Sequence, residues 1–131
     1  MRILIVEDDV DSAEALRALV TVWGHEPTIA SEGDAAIRMS LTSQPEVVIL
    51  DLGLPGGDAF EVACRLRTGP GGTGLRIIAL TGHAEPEYRR RALEAGVDTF
   101  FLKPTDLDEL RECILNPRPP EVGRGNGTSG S

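Results

Sequence analysis

The sequence predicts an α/β fold in which a parallel sheet is covered by helices on both faces. Two observations predict it. Short runs rich in Ile, Val and Leu alternate with segments of helical periodicity, and the alternation repeats five times. The chain has 131 residues, which is the size of one compact domain. Strands and helices that alternate at these lengths favour right-handed crossovers, and therefore a parallel sheet.

Five apolar runs predict the strands. Four are strong, at residues 2–6, 46–50, 76–80 and 99–102, and a weaker one lies at 27–30. Short runs of branched apolar residues, flanked by polar residues or glycine, are typical of strands that are buried on both faces.

Helical patterns fill the segments between these strands. Apolar residues recur at the spacing of one helix face in residues 12–23, 34–42, 58–67, 86–95 and 106–115. Asp11 or Ser12 can cap the first helix and Asp58 the third, because short polar side chains accept hydrogen bonds from free amides at a helix start. Pro86 suits the first turn of the fourth helix.

The character of the chain changes after Asn116. Residues 117–131 are rich in Pro, Gly and Ser and nearly free of large apolar side chains, which predicts a disordered tail, a linker or an added segment. We therefore expect one folded domain at residues 1–116.

Composition excludes several classes of function. The net charge of −8 argues against a nucleic-acid or anionic-membrane partner, because both need a basic face. No CxxC pair is present and His25 and His83 stand apart, so a zinc site is not expected. No apolar run approaches the ~20 residues that span a bilayer, and the N-terminus lacks a signal-peptide pattern. We expect a cytoplasmic protein.

Polar side chains follow four of the predicted strands. Open α/β sheets bind ligands beyond the carboxyl ends of their strands. Carboxylates, a hydroxyl and an ammonium are therefore expected to meet at one edge of the sheet, and they come from Glu7, Asp8, Asp9, Asp51, Thr81 and Lys103. Clustered carboxylates repel one another unless a cation joins them, and oxygen ligands favour Mg²⁺ (or Mn²⁺).

This set of side chains suits phosphoryl transfer. A carboxylate can be phosphorylated as a nucleophile, and Asp51, after a central strand, is the candidate. A lysine and a hydroxyl facing it can hold the phosphoryl oxygens. Each signal has an ordinary alternative: Asp8 and Asp9 could favour a helix N-terminus, and Asp51 could be a turn residue. What favours the functional interpretation is that the groups share one edge.

A glycine-rich segment is a false signal for nucleotide binding. Residues 69–74 fit the pattern GxGxxG, but that fingerprint needs a strand before it and a helix after it. Here a predicted helix precedes and a predicted strand follows, so we expect a loop at the opposite edge of the sheet.

The sequence resembles the response-regulator receiver domains of two-component signalling. The resemblance covers residues 1 to about 115 and is carried by four motifs: ILIVEDD (3–9), VVILDLGLPGGDAFEV (47–62), IIALTG (77–82) and ALEAGVDTFFLKP (92–104). It implies a flavodoxin-like (βα)5 doubly wound fold with a five-stranded parallel sheet of order 2-1-3-4-5.

The resemblance also implies roles for individual residues. Asp51 matches the phosphoacceptor. Asp8 and Asp9 match the acidic pair, with Asp9 as the direct Mg²⁺ ligand, Asp8 acting through water, and Gly53 giving its carbonyl oxygen to the metal. Thr81 matches the hydroxyl that closes on the phosphoryl group.

Further roles follow from the same resemblance. Lys103 matches the ammonium that pairs with the phosphoryl group, Pro104 follows a cis peptide bond, and Phe100 matches the switch aromatic, with Phe101 on the other side of the strand. His83 and Gly53 flank the expected path of the attacking water and are candidates for tuning dephosphorylation. Gly57 departs from the family, which often has a bulky apolar residue there.

The implied function is a phosphoacceptor that is not an enzyme for outside substrates. A sensor histidine kinase or a histidine phosphotransfer protein would donate the phosphoryl group, and the helix at 86–95, the last strand and the last helix would form the surface read by a protein partner. Both a stand-alone receiver and the receiver of a hybrid kinase stay open. No DNA-binding, cyclase or hydrolase segment follows in this sequence.

Two other functions stay open at this point. A metal-dependent phosphohydrolase with an Asp nucleophile commonly needs an acid two residues further on, where this sequence has Gly53. A pseudo-receiver that binds partners without phosphorylation usually lacks an acidic residue or the lysine, and neither is missing here.

Overall fold

A computed structural model describes residues 1–54 and 59–115 of the chain. Within these ranges five strands alternate with five helices. The strands are β1 (Arg2–Val6), β2 (Glu26–Ala30), β3 (Val47–Asp51), β4 (Arg76–Thr81) and β5 (Thr99–Leu102). The helices are α1 (Val10–Val22), α2 (Gly33–Ser43), α3 (Ala59–Thr68), α4 (Pro86–Glu94) and α5 (Leu107–Leu115). The predicted elements are all present, with bounds shifted by a few residues.

The strands form one parallel sheet in the order β2-β1-β3-β4-β5. This confirms the α/β class and the strand order that the family resemblance implied. The register places Val6 beside Leu50 and Leu50 beside Ala79. The carboxyl ends of the three central strands are therefore level, and the residues that follow them meet at one edge, which we call the carboxyl edge.

Helices bury both faces of the sheet. Leu4, Val6, Val48 and Leu50 point to the face under α2, α3 and α4, whereas Ile3, Ile5 and their counterparts in β3 and β4 pack under α1 and α5. Successive strand residues point to opposite faces, so an unbroken apolar run is needed to bury both. Every residue of β3 is buried, and that holds the carboxyl edge on a rigid centre.

The start of α1 differs from the prediction. We expected Asp11 or Ser12 to cap this helix, but Asp9 is the cap, and its Oδ2 accepts a hydrogen bond from the Ser12 amide at 2.9 Å. The helix begins two residues earlier than the apolar stripe suggested, because a cap side chain reaches the amide three residues along. It ends at Val22, and Gly24, just past the end, has a φ of 95° that favours glycine.

The glycine-rich segment at 69–74 follows α3 and precedes β4, with a short 3₁₀ turn at Gly72–Gly74. It lies at the amino ends of the strands, as the sequence predicted, and not at a strand-to-helix turn that could hold a phosphate. Asp58, Gly57 and the predicted tail at 117–131 lie outside the described residues. Among the described residues, none of the helices is long and apolar enough to cross a membrane.

Candidate functional site

Asp51 ends the central strand β3 and is 7% exposed. Its Oδ1 accepts a hydrogen bond from the Gly53 amide at 2.9 Å. That contact turns the carboxylate out from the end of the strand and fixes its direction. A Cβ added at residue 53 would lie 3.5 Å from the same oxygen, which is an ordinary van der Waals contact.

Lys103 reaches Asp51 from the far side of β4. Its Nζ lies 3.3 Å from Asp51 Oδ1, and its backbone amide donates to the Thr81 carbonyl at 2.7 Å. The second bond continues the ladder between β4 and β5 past the end of the strand. The peptide bond between Lys103 and Pro104 is cis. The structure therefore brings the predicted ammonium to the predicted acceptor.

Glu7 and Asp8 complete an acidic group with Asp51. One carboxylate oxygen from each of the three lies within 4.8 Å of the others. Val6 of β1 pairs with Leu50 of β3. The residues that follow them, Glu7 and Asp51, therefore lie side by side. The Glu7 amide donates to the Ala30 carbonyl at 3.0 Å, which extends β1 by one step and fixes Glu7 at the edge.

The charge of this group is poorly balanced by protein alone. The pKa of the Glu7 carboxyl is raised from 4.5 to about 7, first of all because the side chain is buried. The neighbouring Asp51 carboxylate adds to the rise, whereas the Asp9 amide and the Lys103 ammonium oppose it. Three acids and one partly exposed lysine leave negative charge that a cation would neutralise.

The structure places Asp9 outside the acidic group. Its carboxylate caps α1 and accepts from the Ser12 amide, and this hydrogen bond lowers the pKa of Asp9. Its own amide donates to Glu7 Oε2 at 3.1 Å. Asp9 was expected to be the direct metal ligand beside Asp8. In the described geometry the Asp9 carboxylate lies at the start of α1, and Glu7 is the acid that comes together with Asp8 and Asp51.

Thr81 ends β4 and is 2% exposed. It lies one residue beyond Leu80, which pairs with Asp51, so it stands at the same edge. Its Oγ1 accepts a hydrogen bond from the His83 amide at 3.0 Å. The His83 side chain is 58% exposed, and its ring stacks on Tyr88 with centroids 4.6 Å apart.

Phe100 and Phe101 lie on opposite faces of β5. Phe100 packs with the cluster under α2, α3 and α4, whereas Phe101 packs with the cluster under α1 and α5. The Arg89 guanidinium lies over the Phe100 ring, 5.8 Å from its centroid. The predicted switch aromatic therefore stands between the sheet and α4.

The donor set fits a hard divalent cation. Mg²⁺ takes carboxylate oxygens together with water and substrate oxygens, and three carboxylates from Glu7, Asp8 and Asp51 converge here, one of them exposed to solvent. Of the predicted metal set, Asp8 and Asp51 belong to this group, and Gly53 touches it through its amide.

Sequence reasoning did not assign a role to Glu7, although a signal was available. Glu7 follows the apolar run of β1 directly, just as Asp51 follows the apolar part of β3. Equal distance from the end of two adjacent parallel strands places two residues side by side. Asp9, two residues further on, could not share that position.

The chain is similar to known proteins over most of its length. The model of the family described as "Response regulator receiver domain" matches residues 3–115. The transcriptional regulatory protein KdpE of Mycobacterium tuberculosis is 36% identical over 108 residues, which is 82% of this chain and 46% of KdpE. An uncharacterized 14.6 kDa protein of Leptolyngbya boryana is 36% identical over 114 residues, 87% of each chain.

Solved structures share the fold. The signal receiver domain of a DNA-binding response regulator from Colwellia psychrerythraea 34H is 30% identical, with a TM-score of 0.81 over 88% of this chain and 95% of that one. The chemotaxis protein CheY4 of Vibrio cholerae has a TM-score of 0.82 over 87% of this chain and 95% of that one, and at 21% identity it supports the fold alone. The chain spans about half the length of KdpE and, at 56%, of the response regulator MprA of Mycolicibacterium vanbaalenii.

Proposed function

The chain belongs to the response regulator receiver domain family, and from that premise we propose that it stores one phosphoryl group on Asp51. The donor would be a phosphohistidine on a sensor histidine kinase or a histidine phosphotransfer protein. The observation that carries the proposal is the contact of Asp51 with Lys103, 3.3 Å apart, next to the carboxylates of Glu7 and Asp8.

Glu7, Asp8 and Asp51 are the residues that would hold Mg²⁺ or Mn²⁺. When bound, the ion supplies positive charge that offsets the carboxylates and the oxygens of the incoming phosphoryl group. The choice of Glu7 over Asp9 rests on its place in the acidic group. The Gly53 carbonyl as a further ligand stays a prediction.

The transfer itself asks little covalent chemistry of the protein. A carboxylate oxygen of Asp51 attacks phosphorus, the bond from phosphorus to the donor imidazole nitrogen breaks, and the imidazole keeps that electron pair and takes a proton. Lys103 offsets negative charge on the phosphoryl oxygens, and the Gly53 amide holds the attacking carboxylate in direction. Thr81 would donate its hydroxyl proton to a phosphoryl oxygen.

The stored group would signal through the surface of α4, β5 and α5. Thr81 would close on the phosphoryl group and Phe100 would turn inward, which changes the packing of α4. The position of Phe100 between the sheet and α4, with Arg89 over its ring, supports this role. A protein partner would read the change, and the acidic chain is not expected to bind nucleic acid. We place the protein in the cytoplasm.

His83 and Gly53 are proposed to tune how long the phosphoryl group lasts. The backbone amide of Gly53 donates to Asp51 Oδ1 and that of His83 donates to Thr81 Oγ1, so both residues lie beside the expected site. An unchanged decay rate of the phosphorylated protein in His83→Ala would remove His83 from this role.

Turnover separates a phosphoryl store from a phosphohydrolase. The residue two positions after Asp51 is Gly53, which has no acid to protonate a leaving group. With an aryl phosphate and Mg²⁺ we expect no more than slow release, limited by decay of the stored group. Many phosphates released per chain at a rate above that decay would show a hydrolase. A chain that takes up no phosphoryl group from any donor would be a pseudo-receiver.

A further inference from the structure

Three aromatic rings form a column beside Thr81. The His83 ring stacks on Tyr88, with centroids 4.6 Å apart and planes 30° apart. The Phe60 ring meets Tyr88 edge-on at 5.1 Å and 71°. The guanidinium of Arg91 lies over the Phe60 ring, 4.2 Å from its centroid. The column runs from the β4–α4 loop to α3, and Tyr88 is its middle member.

Tyr88 depends on these ring contacts for its position. Of the nine residues of α4, all of them described, Ala92 alone is fully buried. A helix that buries so little apolar surface is held largely by its few side-chain contacts. The contact of Tyr88 with Phe60 is one of them, and aromatic pairs of this geometry are favourable beyond the area that they bury.

Two contacts of His83 link the loop between Thr81 and α4 to the elements on either side of it. The His83 amide donates to Thr81 Oγ1 at 3.0 Å, and the His83 ring rests on Tyr88 in the first turn of α4. Glu85 joins the loop to the same turn, since its carbonyl accepts from the Tyr88 amide at 3.0 Å. Moving Tyr88 would therefore move the His83 amide.

The amide contact has a consequence for the Thr81 hydroxyl. A hydroxyl has one proton to donate and two lone pairs that accept. With the His83 amide on one lone pair, the Thr81 proton cannot point toward that amide and remains available for another acceptor. Thr81 stands at the carboxyl edge beside the strand of Asp51, where a phosphoryl oxygen would be that acceptor.

We propose that Tyr88 is a positioning residue for phosphoryl transfer, which acts through His83 to hold the Thr81 hydroxyl as a donor. The inference rests on the proposed function of Asp51. It adds a second route from the site to the helical surface, through Thr81, His83, Tyr88 and Phe60, distinct from the one through Phe100.

The test compares four forms of the full chain: wild type, Tyr88→Leu, Thr81→Ala and the double variant. Each is labelled with acetyl phosphate and Mg²⁺, and the labelling rate is followed by intact mass. Tyr88→Leu should slow labelling roughly threefold to tenfold, the factor that corresponds to one neutral hydrogen bond. In the Thr81→Ala background the same change should have no effect, because residues that act through one contact are not additive.

Tyr88→Phe is the matched control. It keeps the ring stack and the edge contact, so its rate should equal that of wild type. The His83 amide proton, observed by NMR in the unphosphorylated protein, should shift upfield in Tyr88→Leu and in Thr81→Ala but not in Tyr88→Phe. The unfolding midpoint shows whether Tyr88→Leu folds. If it does not fold, Tyr88→Met replaces it in the comparison.

The outcomes separate the two proposals. If wild type is labelled and the labelling rate of Tyr88→Leu is equal or higher, the role of Tyr88 is overturned. The role of Asp51 is not affected by that result. An equal loss in the wild-type and Thr81→Ala backgrounds also overturns it, because the effect would then not pass through Thr81. A wild type that takes no label contradicts the proposed function, and the role of Tyr88 falls with it.

Discussion

Lys103 Nζ lies 3.3 Å from Asp51 Oδ1, although Asp51 ends β3, Lys103 follows β5, and β4 lies between these two strands. The side chain of Asp51 is 9% exposed and that of Lys103 is 43% exposed. The pair therefore has one buried acid and one ammonium with access to water. Such an ammonium can turn from the acid to an incoming phosphoryl group without being pulled out of the core.

Lys103→Met should separate metal binding from phosphoryl transfer. The variant keeps most of the apolar stem and removes the charge. Mg²⁺ should bind several-fold more tightly, because the acidic group loses a competing cation. Labelling by acetyl phosphate should nevertheless slow by about tenfold or more, since a charged hydrogen bond to the phosphoryl oxygens is lost. Calorimetric Mg²⁺ titration and intact mass measure the two effects, and a parallel fall in both would argue against this role for Lys103.

Glu7→Gln and Asp9→Asn decide which acid completes the metal site. At pH 8, above the pKa of about 7 of Glu7, Glu7→Gln should weaken Mg²⁺ binding by about tenfold or more, since a charged ligand becomes neutral. Asp9→Asn should leave the affinity close to that of wild type, because asparagine also caps a helix. The reverse order of effects, measured by the same titration, would restore Asp9 as the ligand.

Arg67→Met should destabilise the fold without touching the site. The Arg67 guanidinium lies 2.6 Å from Asp98 Oδ2 and donates to the carbonyls of Gly72, Leu75 and Gly96. Both charged side chains are 23% exposed. Removing the guanidinium leaves the largely buried Asp98 carboxylate with the Ile77 amide but without its charged partner, and it takes a donor from three carbonyls. This should lower the free energy of unfolding by about 2–4 kcal/mol.

The matched control for Arg67 is Arg17→Met. Arg17 pairs with Glu14 at 2.8 Å, but both side chains are about half exposed. Loss of the Arg17 charge should lower the free energy of unfolding by no more than about 0.5 kcal/mol. Urea unfolding gives both values, and equal effects of the two variants would show that the buried network does not stabilise the fold.

His25 should make the stability depend on pH. It is 9% exposed, and its Nε2 has no hydrogen-bond partner among the described residues. Burial, helped by the positive charges of the Met1 amine and Arg111, lowers the pKa of His25 in the folded protein. The unfolded chain therefore binds the proton first, and the contribution of His25 to stability, complete above about pH 6.5, is lost as the pH falls below it.

Comparison with His25→Gln isolates this effect. The raised pKa of Glu7 acts in the opposite direction, because there the folded state binds the proton first as the pH falls through about 7. The urea midpoint of wild type should fall more steeply than that of His25→Gln between pH 7 and 5.5. Identical slopes would show that His25 does not titrate with unfolding.

The sequence was sufficient to predict the helices and strands and most of the residues at the carboxyl edge. An unbroken apolar run such as β3 can only be a strand buried on both faces, and the residues after parallel strands must meet. That rule predicts, without any measured distance, that Asp51, Thr81 and Lys103 lie close together. The rule does not predict the strand order, because β2-β1-β3-β4-β5 and other orders bury the same residues. Here the family resemblance implied the order.

The sequence could not show which of three neighbouring acids lies beside Asp51 and which caps α1. Glu7, Asp8 and Asp9 are chemically alike and adjacent, and only the register of β1 on β3 and the start of α1 separate them. The Asp9 carboxylate is used by the Ser12 amide, a local contact that competes with metal binding. The column likewise joins Phe60 of α3 to His83 and Tyr88, which lie more than twenty residues further along the chain, and no pattern of spacing predicts it.

The most direct test of the account is the intact mass of the protein after incubation with acetyl phosphate and Mg²⁺, compared with that of Asp51→Asn. Wild type should gain the mass of one phosphoryl group per chain, and Asp51→Asn, which keeps the shape of the side chain but loses the nucleophilic oxygen, should gain none. Asp9→Asn serves as the control for removing a nearby acid and should label like wild type. Labelling of Asp51→Asn to the same extent as wild type would contradict the assignment of Asp51 as the phosphoacceptor.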